Sequence, residues 1–376
     1  MKEEMTTKEP LLRIVRVPGV HVKKKLLVYV TGIVLALLCS ALFIYFVTGL
    51  NPLAVYKAML EGAFGLTSLS ATLRRTSITL RDTMFLLLIA VGLAPAFKMR
   101  FWNIGAEGQV LIGGIVSAGL MLKLSDKIPS CVLLLLMFVT SAVCGALWGF
   151  LPALFKARQN TNETLFTLMM NYVAIQMTAF CVSLWENPFG SNSVGIINQN
   201  TMAGWLPPIG SQAYGWNVIL TITITVLVYI YMKKSRHGYE IAVVGESHNT
   251  ARYAGIPVKK VILRTMLLSG AICGIAGFMG VSGIDHTISV NTCGGKGFTA
   301  IIVAWLARFN TFTMIAISLL LTFLERGASE IASQFGLNEH ASNVVSGMIL
   351  FFILGCDFFC NYKVVINRKK TGKEAK

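Results

Sequence analysis

Runs of about 20 apolar residues follow one another along almost the whole chain, and each is the length an α-helix needs to cross the roughly 30 Å hydrocarbon core of a bilayer. Inside lipid, a helix satisfies its own backbone hydrogen bonds, so runs of this length fold as membrane-spanning helices. Composition agrees: 55% of the 376 residues are hydrophobic and 13% charged, against roughly 25% charged in soluble domains. The expected fold class is an all-α polytopic membrane protein with about ten transmembrane helices. No polar stretch exceeds about 30 residues, which leaves no room for a separate soluble domain. Residues 1–25 read as a basic N-terminal segment. Residues 26–360 read as the transmembrane domain, with a polar segment over 233–260, and 361–376 as a basic tail.

The spans are expected at 26–48, 77–97, 103–122, 130–155, 163–185, 216–232, 261–283, 298–307, 312–331 and 341–360. The eighth is too short to cross, so it is expected to be broken or partly re-entrant. Lys and Arg gather in short segments between the runs. With the N-terminus inside, 24 of the 33 basic residues fall in cytoplasmic segments and 6 outside, the asymmetry that orients membrane proteins. Both termini are therefore expected in the cytoplasm. The same arrangement accounts for the net charge of +16. No base-stacking aromatics are interleaved with the cations, so no nucleic-acid partner is expected. Seven Lys or Arg precede a first run of about 22 residues that lacks a small-residue cleavage site, and this reads as a signal anchor. The outer connections are 49–76, whose amphipathic pattern is expected to lie on the outer membrane surface, and 186–215, an irregular cap.

Eight cysteines show no paired spacing, so neither a disulfide framework nor a zinc site is expected, and no metal or cofactor. The chain carries no Gly-x-x-x-x-Gly-Lys-Ser/Thr loop for ATP. It also lacks His-Glu-x-x-His and Gly-x-Ser-x-Gly, and membrane-embedded enzyme readings have no support.

The polar residues within the spans are the candidates for function. Asn103, Glu107 and Gln109 sit among Gly105, Ala106 and Gly108 at the start of the third run. A Glu placed at a helix centre costs about 2.5–3.5 kcal/mol on insertion scales, so it needs a reason. Glycines there let helices approach closely and break. Two roles stand open for Glu107: bonding a substrate, or capping backbone N–H groups at the break. Asn103 and Gln109 divide in the same way. A second Gly-rich break at 293–297 joins the seventh and eighth spans and enters from the opposite side, which suggests an inverted repeat with broken helices. Asn162 reads as an N-cap and Glu163 as its dipole partner. Asn171, two turns further, must face a polar cavity or another helix. Trp305, read as mid-span, is a candidate cavity wall. Trp102, Trp185, Trp205 and Trp216 read as interfacial anchors, and Asp285-His286 as a solvated turn. In the polar segment, Ser247 is placed to N-cap a helix over 248–254, Gly255 to end it in the left-handed conformation, and Pro257 to prevent continuation. Two turns are marginal alone in water, so this helix needs a partner surface.

Four segments carry a resemblance: 101–114 (FWNIGAEGQVLIGG), 162–172 (NETLFTLMMNY), 242–258 (AVVGESHNTARYAGIPV) and 297–308 (GFTAIIVAWLAR). The first and third are the most diagnostic. They resemble permease subunits of ABC importers for simple sugars and nucleosides, a branch of the branched-chain amino acid/ribose permease family. The resemblance implies a multi-pass protein of the bacterial cytoplasmic membrane, contacting membrane lipid and carrying a nucleoside or a simple sugar. Its implied partners are a separate ABC ATPase, a second permease in a homo- or heterodimer, and an extracytoplasmic substrate-binding protein or lipoprotein. It makes 233–260 the ATPase-coupling segment, with Gly245, Glu246, Ser247, Ala251, Arg252 and Gly255 at the contact. The candidates for the translocation path are Asn103, Glu107, Gln109, Asn171 and Trp305. The chain departs from the family at 74–85 (RRTSITLRDTMF), which is more charged than usual and lacks the common proline. The rival reading is an ion-coupled secondary transporter, which needs an ionisable pair deep in the membrane, and Glu107 lacks an evident partner.

Overall fold

Each apolar run becomes a helix, and the ends shift where capping or packing residues extend it. The structure, a computed structural model, describes residues 12–16, 22–66, 68–210, 212–336 and 339–366. Among them nine helices are long and apolar enough to cross a membrane, and Lys296–Leu306 is a shorter apolar one. The chain divides into two units, Met1–Gly62 with Leu324–Lys376, and Ala63–Phe323.

In the first unit, strand β1 (Leu12–Arg16) leads towards helix α1 (Val22–Phe43), which runs on as a π-helical turn to Thr48. Helix α13 (Glu339–Asn361) packs along α1 and leads into β2 (Tyr362–Ile366). The two strands pair antiparallel, Leu12 opposite Ile366 and Arg16 opposite Tyr362. Both ends of the described chain therefore lie at the same end of the α1–α13 pair. Helix α2 (Pro52–Phe64) corrects the expectation for 49–76. Its amphipathic face is not laid on a membrane surface. Val55 and Met59 are buried, Met59 lies against Gly327, and the Tyr56 hydroxyl bonds Ser40 at 3.0 Å. A packed protein face removes more apolar surface from water than an interfacial one.

The second unit holds α3 (Leu69–Lys98), α4 (Ala106–Leu124), α5 (Ser130–Gln159), α6 (Glu163–Trp185), α7 (Gly215–Lys234), α8 (Arg236–Glu246), α9 (His248–Tyr253), α10 (Val258–Gly280), α11 (Lys296–Leu306) and the first half of α12 (Thr311–Phe335). Helix α3 starts eight residues before the expected span, because Ser68 caps it by accepting from the Ala71 N–H at 3.2 Å. Its charge is tolerated because Arg81 pairs with buried Asp82 at 2.9 Å and donates to the Tyr214 hydroxyl.

Helix α10 stands at the centre, packed on α3, α4 and α5. Glycines set the spacing. A Cβ on Gly274 would overlap the Ser141 carbonyl oxygen of α5, one on Gly145 the Gly270 carbonyl, and one on Gly113 of α4 the Gly274 carbonyl. With no solvophobic drive between helices in lipid, such backbone contact supplies the dispersion that holds them. Ser141 adds a polar link, bonding the Ser117 hydroxyl at 2.7 Å and donating to the Gly113 carbonyl at 2.9 Å. At one end of this unit the irregular 186–214 connection closes over an apolar cluster that includes Met121, Leu133, Val182, Val194 and Ile197.

Gly274→Ala should therefore destabilise the purified protein by about 1–3 kcal/mol through forced separation of α5 and α10. Gly347→Ala, where nothing lies within 4 Å, should be neutral or stabilising by up to about 1 kcal/mol. Thermal melts in one detergent compare the two, and equal melting temperatures would refute the packing account.

Candidate functional site

Two of the non-helical stretches of the second unit are 99–105, before α4, and 286–295, before α11. The two breaks meet. Glu107, in the first turn of α4, accepts from the Gly295 N–H through Oε1 at 2.9 Å and from the Gly297 N–H through Oε2 at 3.0 Å. One carboxylate therefore lies at the N-termini of two helices, where free N–H groups and both macrodipoles favour negative charge. Its bonds are charge-assisted and offset the cost of burial. Gly297 must lack a side chain, since a Cβ there would lie 2.6 Å from Glu107 Oε2. Gly295, at φ +76°, turns the chain into α11.

Side chains also meet several donors at the first break. Asn171 of α6 accepts from the Gly108 N–H and donates to the Ile104 carbonyl, both at 2.8 Å. Thr167 accepts from the Ile104 N–H at 3.2 Å. Asn103 accepts from the Gly105 N–H at 3.1 Å, exchanges bonds with Gln109 and donates to Ser269 of α10. Asn103, Glu107, Gln109 and Asn171 are thus all buried around the same break, with Asn103 and Gln109 bonded to each other. Of the two roles open for Glu107, the geometry matches backbone capping, though the capped helix is α11 and not the local one. Gly295, Gly297, Ser269 and Thr167 were not singled out by sequence. The Gly-rich 293–297 was the signal for the first two, and a lone Ser or Thr on an apolar helix gives none.

Trp305 lies in the last turn of α11, not mid-span, because that helix ends at Leu306. Its indole stacks on Trp102 at 5.2 Å and 22°, with Phe97 and Phe309 edge-on. Both indoles stay partly exposed. Helix α11 spans about 16 Å, from the Glu107 junction to this aromatic group. His286 also departs from expectation. It is not a solvated turn residue but stacks on Trp205 at 3.7 Å, within 8° of parallel.

The short helix expected after Ser247 forms as its capping residues require. The Ser247 side chain accepts from the Thr250 N–H at 3.3 Å, α9 runs over His248–Tyr253, and Gly255 takes φ +74°. Two of the six expected contact residues do not face outward. Ala251 is fully buried in a cluster with Ala96, Phe101, Val244 and Met266, and a Cβ on Gly245 would overlap the Lys98 carbonyl oxygen. Both are small because α8 and α9 press against the ends of α3 and α10. Glu246, Arg252 and Gly255 are exposed, and so is Tyr253, at 91%. Helix α8 is tied down by Glu240, which accepts from Arg264 of α10 at 2.7 Å and from Arg236 at 3.2 Å. The Arg264 hydrogen bond is the main reason that the Glu240 carboxyl lies below its ordinary value.

A polytopic helical protein in which two broken helices meet at one carboxylate has the architecture of membrane transport proteins. Residues 75–354 match the family described as branched-chain amino acid transport system / permease component, and the chain belongs to that family. It is 30% identical over 336 residues to the guanosine ABC transporter permease protein NupP of Bacillus subtilis, covering 87% of this chain and 92% of that protein. It is 28% identical to the nucleoside ABC transporter permease protein NupB of Lactococcus lactis, covering 88% and 91%. It is also 28% identical to the glucose ABC transporter permease protein TsgB13 of Haloferax volcanii, covering 77% and 78%. The chain is a transport component and not itself an enzyme.

Two outcomes follow from this geometry. Glu107→Gln keeps one acceptor for the two glycine amides, whereas Glu107→Leu keeps none, and each buried donor left unmet costs about 1–3 kcal/mol. Hydrogen exchange at Gly295 and Gly297 should accelerate strongly in the Leu variant and weakly in the Gln variant; unchanged protection in the Leu variant would refute the cap. Since the folded Glu240 carboxyl is lowered, its contribution is complete above the ordinary value of 4.5 and is lost as pH falls through the lowered one. The stability difference between wild type and Arg264→Gln should therefore be full at neutral pH and shrink on acidification below that value, as melts across pH would show.

Proposed function

We propose that this chain is the transmembrane permease subunit of an ATP-driven importer for nucleosides in a bacterial cytoplasmic membrane. The observation that carries the reading is α9, a capped helix anchored on its inner face by Ala251 and presenting Arg252 and Tyr253 outward, beside exposed Glu246 at the end of α8. A short helix so anchored and so exposed is suited to dock in a groove of a separate ATPase. The nucleoside assignment is supported by two full-length relatives named for guanosine and for nucleosides. A simple-sugar substrate is the second reading, supported by the relative named for glucose.

In this reading two permeases, identical or paralogous, pair over two ATPase subunits, and an extracytoplasmic binding protein or lipoprotein delivers substrate. ATP binding draws the ATPase sites together. The α8–α9 segments move with them, and because α8 is bonded to α10 the motion passes to the core of the second unit. The paired permeases then change which side of the cavity is open. Asn103, Glu107, Gln109 and Asn171 hold the break beside the path. Trp102 and Trp305 offer a stacking surface at its inner end. The basic-residue bias and the paired β1–β2 ends support an even number of crossings with both termini in the cytoplasm.

Tyr253→Asp places a charge at the docking tip without entering the core. It should abolish guanosine uptake and ATPase co-purification while membrane expression stays normal; normal uptake with normal co-purification would refute the coupling role. In a cysteine-free background, an impermeant thiol reagent added outside should label Ser191→Cys and not Thr250→Cys. The reverse pattern would overturn the orientation.

A further inference from the structure

Where α5 ends and α10 begins, the second unit leaves an open cleft of about 370 Å³. Lys156, Arg158, Arg252 and Lys259 line it, with no acidic residue in the lining. Lys156 is paired with Glu163 at 2.8 Å. Arg158, Arg252 and Lys259 have no carboxylate partner among the described residues. The first N–H groups of α10, from Val258 onward, lack helical acceptors and add to the positive potential. Three uncompensated cations around one cleft repel one another, and a bound anion removes that repulsion.

A second cavity, of about 400 Å³, flanks the same α5–α6 turn. Its lining is apolar and runs up α6 through Leu165, Phe166, Met169 and Val173. Phe155 of α5 stacks on Phe166 at 5.0 Å beside it. At its lower end lies Thr161, whose buried hydroxyl has no hydrogen-bond partner. From Leu165 to Val173 the groove climbs about 12 Å along the helix. The cleft adjoins Asn160 and the groove begins at Thr161, so a cationic head site and an apolar channel lie on either side of one turn. Both sit at the end of the apolar helices, where the bilayer surface falls on the side assigned above to the cytoplasm.

We propose that the cleft and the groove form one site for an anionic phospholipid, with the phosphate diester held by Arg158, Arg252 and Lys259 and an acyl chain laid along α6. A free phosphate would use the cleft and leave the groove unfilled. An acidic side chain of the ATPase would do the same. Only an anionic amphiphile matches the charge and the apolar groove together. Since Arg252 belongs to the α9 segment, the lipid would also brace the segment proposed to dock the ATPase.

The test uses the full-length chain in detergent, titrated with phosphatidylglycerol, phosphatidylcholine or inorganic phosphate, and read by native mass spectrometry and thermal shift. One phosphatidylglycerol should be retained in preference to phosphatidylcholine. Arg158→Gln with Lys259→Gln should weaken that retention about tenfold or more, a loss of roughly 1.4 kcal/mol. Met169→Trp, which fills the groove and touches no charge, should weaken phosphatidylglycerol and leave any phosphate response unchanged. It decides the matter even if the double variant fails to fold. Equal retention of the two lipids, or no effect of Met169→Trp, would overturn the proposal. So would a phosphate shift equal to that of the lipid. Displacement of phosphatidylglycerol by added ATPase, with loss of ATPase co-purification in Arg158→Gln/Lys259→Gln, would assign the cleft to the ATPase and overturn it as well.

Discussion

The Glu107 carboxylate holds together two helix ends that would otherwise be intolerable inside a bilayer. A helix that begins within the membrane leaves N–H groups without acceptors, and no water reaches them. Here two such ends are brought together, and both oxygens of one side chain accept a glycine N–H of α11 while the side chain itself belongs to the first turn of α4. At the first break the N–H groups of Ile104, Gly105 and Gly108 find Thr167, Asn103 and Asn171. Remove the carboxylate and the Gly295 and Gly297 N–H groups lose their acceptor.

That meeting depends on packing as well as on charge. Helix α10 approaches α4 and α5 at backbone distance because Gly113, Gly145, Gly270 and Gly274 lack side chains. The same approach brings Ser269 to Asn103 at 3.2 Å, which joins the polar network to the central helix. Helices α3 and α11 pack alongside, so the two helix–break–helix pairs interlock crosswise. A shift of α10 would be felt at the junction through Ser269 and at α8 through Arg264. One rigid helix thus links the polar break to the segment that faces outward.

That segment combines opposite requirements. Gly245 and Ala251 are small and buried, which seats α8 and α9 firmly on the ends of α3 and α10. Tyr253, Arg252 and Glu246 remain exposed. The coupling role proposed above needs both, because a loop that is loose at its base cannot pass a displacement to the core.

Much of this was legible in the chain. Spans could be placed because apolar length is a local property, and α6 begins and ends where expected, at Glu163 and Trp185. Caps at Asn162, Ser247 and Gly255 were readable because each acts on its nearest neighbours. That Glu107 needed a reason to be in the membrane was evident from its cost alone; which groups it bonds was not. Its partners lie 188 and 190 residues away, and only the packing of α3, α4, α10 and α11 brings them within reach. The inward facing of Gly245 and Ala251 and the stacking of Trp102 on Trp305 were hidden for the same reason. The burial of α2 was hidden as well, since an amphipathic pattern states that one face is apolar and not what covers it. Local chemistry set the helices and their ends, and tertiary packing decided which of those ends would share a charge.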